Sequence, residues 1–169
     1  MYSAESGALN ESLSDIFGVI VSNYRGSRRR RLDLWNWEMG EDLDQTGGVA
    51  IRDIRHPELF GQPNHMDDYR NLPESEDHGG VHTNSGIHNR AGYLMLTSRR
   101  SPEHPTTLTP TEVAALYYLS VTQFLSRTST FSDSRQGVIL AAKSLFRNRA
   151  DRDELIQVIE SSFSGVGIE

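Results

Sequence analysis

Six large apolar residues, Leu9, Leu13, Ile16, Phe17, Ile20 and Tyr24, recur in steps of three and four. A helix completes a turn in 3.6 residues, so this spacing lines one face and predicts an amphipathic helix from Leu9 to Tyr24. On 100° steps Gly7, Glu11, Asp15, Gly18 and Ser22 gather on the other face. Glu11 and Asp15, at i, i+4, project together beside small residues. Such a face is ordinarily solvated; two acids with small neighbours also suit a bound group.

A second helix is expected to open after Thr83-Asn84 and to carry Ile87, Ala91, Leu94 and Met95 on one side. Thr109-Pro110-Thr111-Glu112 reads as a capping box with proline in the first turn, and Val113 to Leu125 continues that helix. Ser132 or Asp133 is placed to cap a helix through Val138, Leu140, Ala141 and Leu145. Asp151 is placed to cap one through Leu155, Val158, Ile159 and Phe163 that stops at Gly165. Between the first two helices, up to Gly80, the chain is rich in Gly, Pro, Asp, Asn and His with little periodicity. Segments of that kind are usually functional or pinned by an ion. The predicted fold class is therefore all-α, a multi-helix, bundle-like domain with one long irregular loop region. Its 169 residues suit a single domain spanning 1–169.

With no cysteine, the chain has no disulfide scaffold, thiolate zinc site or cysteine nucleophile. Seventeen basic against 23 acidic residues give a net charge of −6, which disfavours nucleic acid as a partner. The basic charge is clumped, notably at Arg28 to Arg31, a run more often solvated than functional. No apolar run approaches the ~20 residues of a membrane span, and the first residues do not read as an export signal. A nucleophile elbow, a phosphate loop and H-E-x-x-H are all missing from the sequence. His78 and His82 have the i, i+4 spacing of a zinc pair, but Gly79-Gly80 between them disfavours the helix that would put them on one face.

Two longer stretches carry a resemblance. Glu5-Ser6-Gly7-Ala8-Leu9-Asn10-Glu11-Ser12-Leu13-Ser14-Asp15-Ile16-Phe17-Gly18 resembles the segment with the third zinc ligand in thermolysin-like neutral metallopeptidases. Gly79-Gly80-Val81-His82-Thr83-Asn84-Ser85-Gly86-Ile87 resembles the second signature of the same family. Shorter matches at Trp37 to Asp42, Ile51-Arg52, Leu119 to Phe131 and Gly165-Val166-Gly167 extend the similarity over the whole chain, as that family's C-terminal helical domain.

The resemblance implies that Glu11 binds zinc and that Asp15 orients a zinc-binding histidine. It implies that His82 stabilises the tetrahedral oxyanion, with Asp77 holding its ring and Tyr2 giving a second hydrogen bond. Arg52 would bind a substrate carbonyl and, beside Ile51, shape the pocket for the residue after the cut. A calcium site near Glu38 and Glu41 is also implied, but Ser22 and Asn36 stand where acidic ligands are usual, so one ion at most is expected. The two zinc histidines and the general-base glutamate are expected in an upstream β-rich half. The chain alone is thus expected to be inactive, and the complete enzyme to be secreted and to cut peptides or proteins before apolar residues. The alternative is a non-catalytic binding or inhibitory module that pairs with another chain.

Overall fold

The computed structural model describes residues 2–24, 31–41, 48–98 and 107–169. Arg28, Arg29 and Arg30 and the stretch after Glu41 therefore lie outside the described residues, while Arg31 makes a two-pronged pair with Asp33 (2.9 and 2.7 Å).

The apolar stripe forms α1, Ala4–Asn23, which starts five residues earlier than its large apolar residues suggest. The reason is burial on two sides. Leu9, Ile16 and Ile20 face the core as the periodicity predicts, but Gly7, Ser12 and Asp15 are buried too. A Cβ at Gly7 would collide with the Val81 side chain, so glycine is what lets α1 lie close against the next helix. The face carrying Asp15 is in that part a packing surface rather than a solvated one.

That next helix, α2, spans Asp77–Leu96, and α1 packs chiefly against it. It opens ahead of the expected Thr83-Asn84 through four residues of positive φ, Asp77 (51°), His78 (48°), Gly79 (79°) and Gly80 (88°), and is regular only from Val81. Positive φ at two non-glycine residues stores strain. Asp77 offsets it by capping the regular helix, its carboxylate accepting from His82 N (3.0 Å) and Thr83 N (2.8 Å). The kink keeps His78 and His82 off a common helical face.

Helix α3, Pro110–Gln123, begins with the expected Thr109/Glu112 capping box and ends two residues before Leu125. Helix α4, Phe131–Leu145, is capped by Thr130 rather than by Ser132 or Asp133. Asp133 instead completes the box by accepting from Thr130 N (2.8 Å), and the Ser132 hydroxyl donates to Glu169 O (2.6 Å). Helix α5, Arg152–Ser164, stops at Gly165 as expected. Asp151 precedes it, but its carboxylate makes no cap bond because Arg149 takes both oxygens (2.8 and 2.6 Å).

The irregular region holds a two-stranded antiparallel ladder absent from the sequence reading, β1 (Glu38–Met39) and β2 (Arg52–Asp53), with Glu38 opposite Asp53 and Met39 opposite Arg52. Burial anchors it: Trp35, Trp37 and Ile54 enter the core, and Ile54 N donates to Trp37 O (3.1 Å). Short 3₁₀ turns follow at Pro57–Phe60 and Met66–Asp68. The described architecture is otherwise helical, with a core through Ile16, Ile87, Leu116, Phe131, Leu155 and Phe163. An imidazole is among the polar groups buried with it. His88 is fully buried, with the Ser12 hydroxyl 2.7 Å from Nδ1 and the Ser134 hydroxyl 2.9 Å from Nε2, so the imidazole ties α1, α2 and α4 together. Among the described residues no helix is long and apolar enough to cross a membrane.

Candidate active site

Three elements meet here: the start of α1 with Tyr2 before it, the kinked start of α2, and β2. Asp77 receives the His82 ring as well as the helix N–H groups, with Nδ1 2.6 Å from Oδ1. A carboxylate at Nδ1 places the ring proton there and turns Nε2 outward. Nε2 lies 3.5 Å from Glu11 Oε2 and 3.4 Å from the Tyr2 hydroxyl, and the Tyr2 hydroxyl donates to Glu11 Oε1. The predicted Glu11, Tyr2, His82 and Asp77 are therefore brought into one contiguous group.

The electrostatics suit donors facing developing negative charge. Burial and the adjacent Glu11 carboxylate push the Tyr2 phenol up to about 12, which keeps it a hydrogen-bond donor at neutral pH. Burial pushes Asp77 upward, but hydrogen bonds from the His82 ring and from Thr83 outweigh it and hold the carboxyl below its ordinary value. Asp77 is thus an anion available to a protonated imidazole.

One turn along α1, Asp15 is 5% exposed and is met by Arg52 Nη2 (2.9 Å) and Asn89 Nδ2 (2.9 Å). Burial raises its carboxyl above the ordinary value despite both donors. Arg52 is therefore committed to Asp15 through one nitrogen, while Ile51 beside it is half exposed. Asn89, Thr83 and Gln62, which touch Asp15, Asp77 and His82 respectively, were not marked by sequence reasoning. Their partners lie elsewhere along the chain, and no local spacing marks them; the missing side chain at Gly86 lets Gln62 approach.

The residues fit the two implied metals unequally. Glu11 is a partly exposed carboxylate whose present neighbours, the Tyr2 hydroxyl that donates to it and His82 Nε2, are replaceable, which suits one ligand of a zinc site completed from elsewhere. Among the described residues no three His, Asp or Glu side chains come together to hold an ion. At the implied calcium corner the Asn36 amide donates to Glu41, the Ser22 hydroxyl turns back to Val19 O (3.1 Å), and Glu38 faces solvent. Among the described residues, a carboxylate already facing an N–H donor and a lone exposed acid do not make a cage of six to eight oxygens.

Comparison with known proteins decides the family. The profile described as "Thermolysin metallopeptidase, alpha-helical domain" matches residues 1–168. The chain belongs to the thermolysin metallopeptidases. It is 37% identical over 174 residues to a bacillolysin of Bacillus cereus, covering 99% of this chain and 28% of that relative. A bacillolysin of Brevibacillus brevis is 36% identical over 172 residues (100% and 30%), and a thermolysin of Alicyclobacillus acidocaldarius subsp. acidocaldarius is 32% identical over 173 (99% and 29%). The chain thus spans less than a third of the length of these relatives and corresponds to the thermolysin alpha-helical domain.

Proposed function

We propose that this chain supplies the C-terminal half of a zinc metalloendopeptidase cleft, and that an upstream β-rich half supplies two zinc-binding histidines and the general-base glutamate. The observation that carries the proposal is the single group made by Glu11, Tyr2, His82 and Asp77. Zinc, when bound, would polarise the scissile carbonyl and acidify a water ligand. Glu11 is the ligand this chain offers it. Asp15, buried beside Arg52 and Asn89, would accept from a zinc-binding imidazole and fix its orientation. With the ring protonated at both nitrogens, His82 Nε2 and the Tyr2 hydroxyl would donate to the oxyanion as the carbonyl becomes tetrahedral, and Asp77 holds the ring for that donation. Arg52 has nitrogen donors beyond the one on Asp15 for a substrate carbonyl, and Ile51 offers an apolar wall to the residue after the cut. The enzyme so completed would be secreted and would act on peptides and proteins.

A groove of about 570 Å³ runs beside this group between α1 and the α3–α4 turn, with Leu9, Leu13, Val121 and Leu125 on its apolar side and Asn10 and Arg127 among its polar lining. It is where a further half would pack. The same groove supports the alternative, a non-catalytic module that pairs with another chain.

The deciding experiment compares the isolated chain with a longer protein that carries the upstream half. The isolated chain is expected to show no endopeptidase activity, because one carboxylate cannot hold a catalytic zinc. In the longer protein His82→Ala should lower kcat about a hundredfold, roughly 3 kcal/mol, with little change in KM, since the donor acts mainly in the transition state. The Glu11→Gln defect should shrink in excess zinc. Chelator-sensitive cleavage by the isolated chain, or a zinc-rescued His82→Ala defect, would refute these roles; a longer protein without activity would favour the module.

A further inference from the structure

Gly86 lies on α2 under the segment that follows β2. A Cβ there would stand 2.7 Å from Gln62 Cβ, 2.7 Å from Pro63 O and 2.9 Å from Pro57 Cβ, so glycine is required for that segment to rest directly on the helix. Gly61, left-handed at φ 74°, turns the chain, and Gln62 N donates to Pro57 O (3.1 Å). The Gln62 side chain is thereby pressed inward until it is 7% exposed. Its Nε2 donates to the main-chain carbonyl of His82 (2.6 Å) and to the Ser85 hydroxyl (3.1 Å), which itself donates to the same carbonyl (3.0 Å).

The other end of the amide carries the informative detail. Gln62 Oε1 is buried and has no hydrogen-bond partner. An unpaired buried acceptor costs about 1–3 kcal/mol. Turning the amide over would set oxygen against oxygen at His82, so the fold accepts the orphan to keep an N–H on that carbonyl. His82 needs such a hold from outside its helix. Its N and its Nδ1 are both held by Asp77, which sits in the strained entry to α2 where four successive residues have positive φ. No regular turn precedes His82 to stiffen it.

We propose, resting on the peptidase role of His82 above, that Gln62 is a positioning residue that braces the His82 main chain so that the imidazole stays on Asp77 with Nε2 facing Glu11 and Tyr2. The brace arrives from the stretch that also carries Arg52, so residues 52–62 set both the pocket arginine and the oxyanion histidine.

The test uses this chain in isotope-labelled form, without zinc or substrate, so its outcome does not depend on peptide hydrolysis. Gln62→Met keeps the length of the side chain and removes the N–H. In wild type the His82 Nδ1–H on Asp77 is expected as a resolved low-field proton resonance; in Gln62→Met, with far-UV dichroism and cooperative unfolding retained, it should broaden or vanish. An unchanged resonance in a folded Gln62→Met chain overturns the proposal, because a merely structural glutamine would alter stability alone. Should that variant not fold, hydrogen exchange in the wild-type chain decides. One Gln62 Nε2 proton should exchange at least about tenfold more slowly than a free glutamine amide, and exchange at the free rate overturns the brace. In the longer protein Gln62→Met should lower kcat and leave KM unchanged. A normal kcat in His82→Ala would instead sink the peptidase role of His82 while leaving the resonance result intact, so the two failures are told apart.

Discussion

His88 shows how one residue sets a property of the whole chain. Its ring lies among Tyr117, Phe131 and Phe163 with serine hydroxyls at both nitrogens, and burial pushes its pKa from 6.5 down to about 3. The folded protein therefore holds a neutral imidazole across a range in which the unfolded chain binds a proton. Stability from this source is complete above the unfolded value of 6.5 and is lost progressively as pH falls toward 3. At 1.36 kcal/mol per unit the full effect is on the order of 4–5 kcal/mol. Denaturant unfolding between about pH 7 and about pH 4 should show this slope in wild type. The triple variant Ser12→Ala, His88→Leu, Ser134→Ala should flatten it, because all three polar partners go together and none is left buried and unpaired. His88→Leu alone should cost more at neutral pH than the triple change. Equal slopes in wild type and triple variant would show that His88 is not the source.

At the scale of elements, caps separate what was legible from what was not. Thr109 and Glu112 close their box through contacts three residues apart, and that pattern can be read from four letters. The Thr130/Asp133 box uses the same spacing, but Ser132 and Asp133 compete for the role in the sequence, and only the docking of the C-terminal carbonyl on Ser132 removes one competitor. Asp151 stands in a cap position and is engaged by Arg149. Thr109→Ala and Thr130→Ala should each lower stability by about 1 kcal/mol in denaturant melts, whereas Asp151→Ala should cost clearly less, since it removes an exposed ion pair and no cap bond. A loss at Asp151 equal to the other two would mean that its carboxylate caps α5 in solution.

Across the whole molecule, apolar burial ties the described part of the loop region to the helices. Trp35, Trp37 and Ile54 anchor the ladder in the core, and Asn23 reaches across from α1 to hold Asn36 at both main-chain ends, Nδ2 to O (2.7 Å) and N to Oδ1 (2.8 Å). Removing calcium with a chelator should therefore leave the thermal midpoint of this chain unchanged, and Asn23→Ala should lower it with or without calcium. A fall in midpoint on chelation, reversed by calcium, would show that the corner near Glu38 and Glu41 holds an ion after all.

Features that depend on neighbours along the chain can be read from the residues in order. The stripe from Leu9 to Tyr24, the box at Thr109, the stop at Gly165 and the joint projection of Glu11 and Asp15 follow from periods and spacings of three or four residues, where backbone geometry alone dictates who meets whom. It takes the packed fold to bury Asp15 against Arg52, 37 residues away, to bring His88 to Ser12 across 76, and to carry Gln62 to the carbonyl of His82 across 20. Periodicity says which face of an element is apolar, but the partner of a buried polar group is fixed by which elements pack together and how closely, and at Gly7 and Gly86 that closeness turns on a missing side chain.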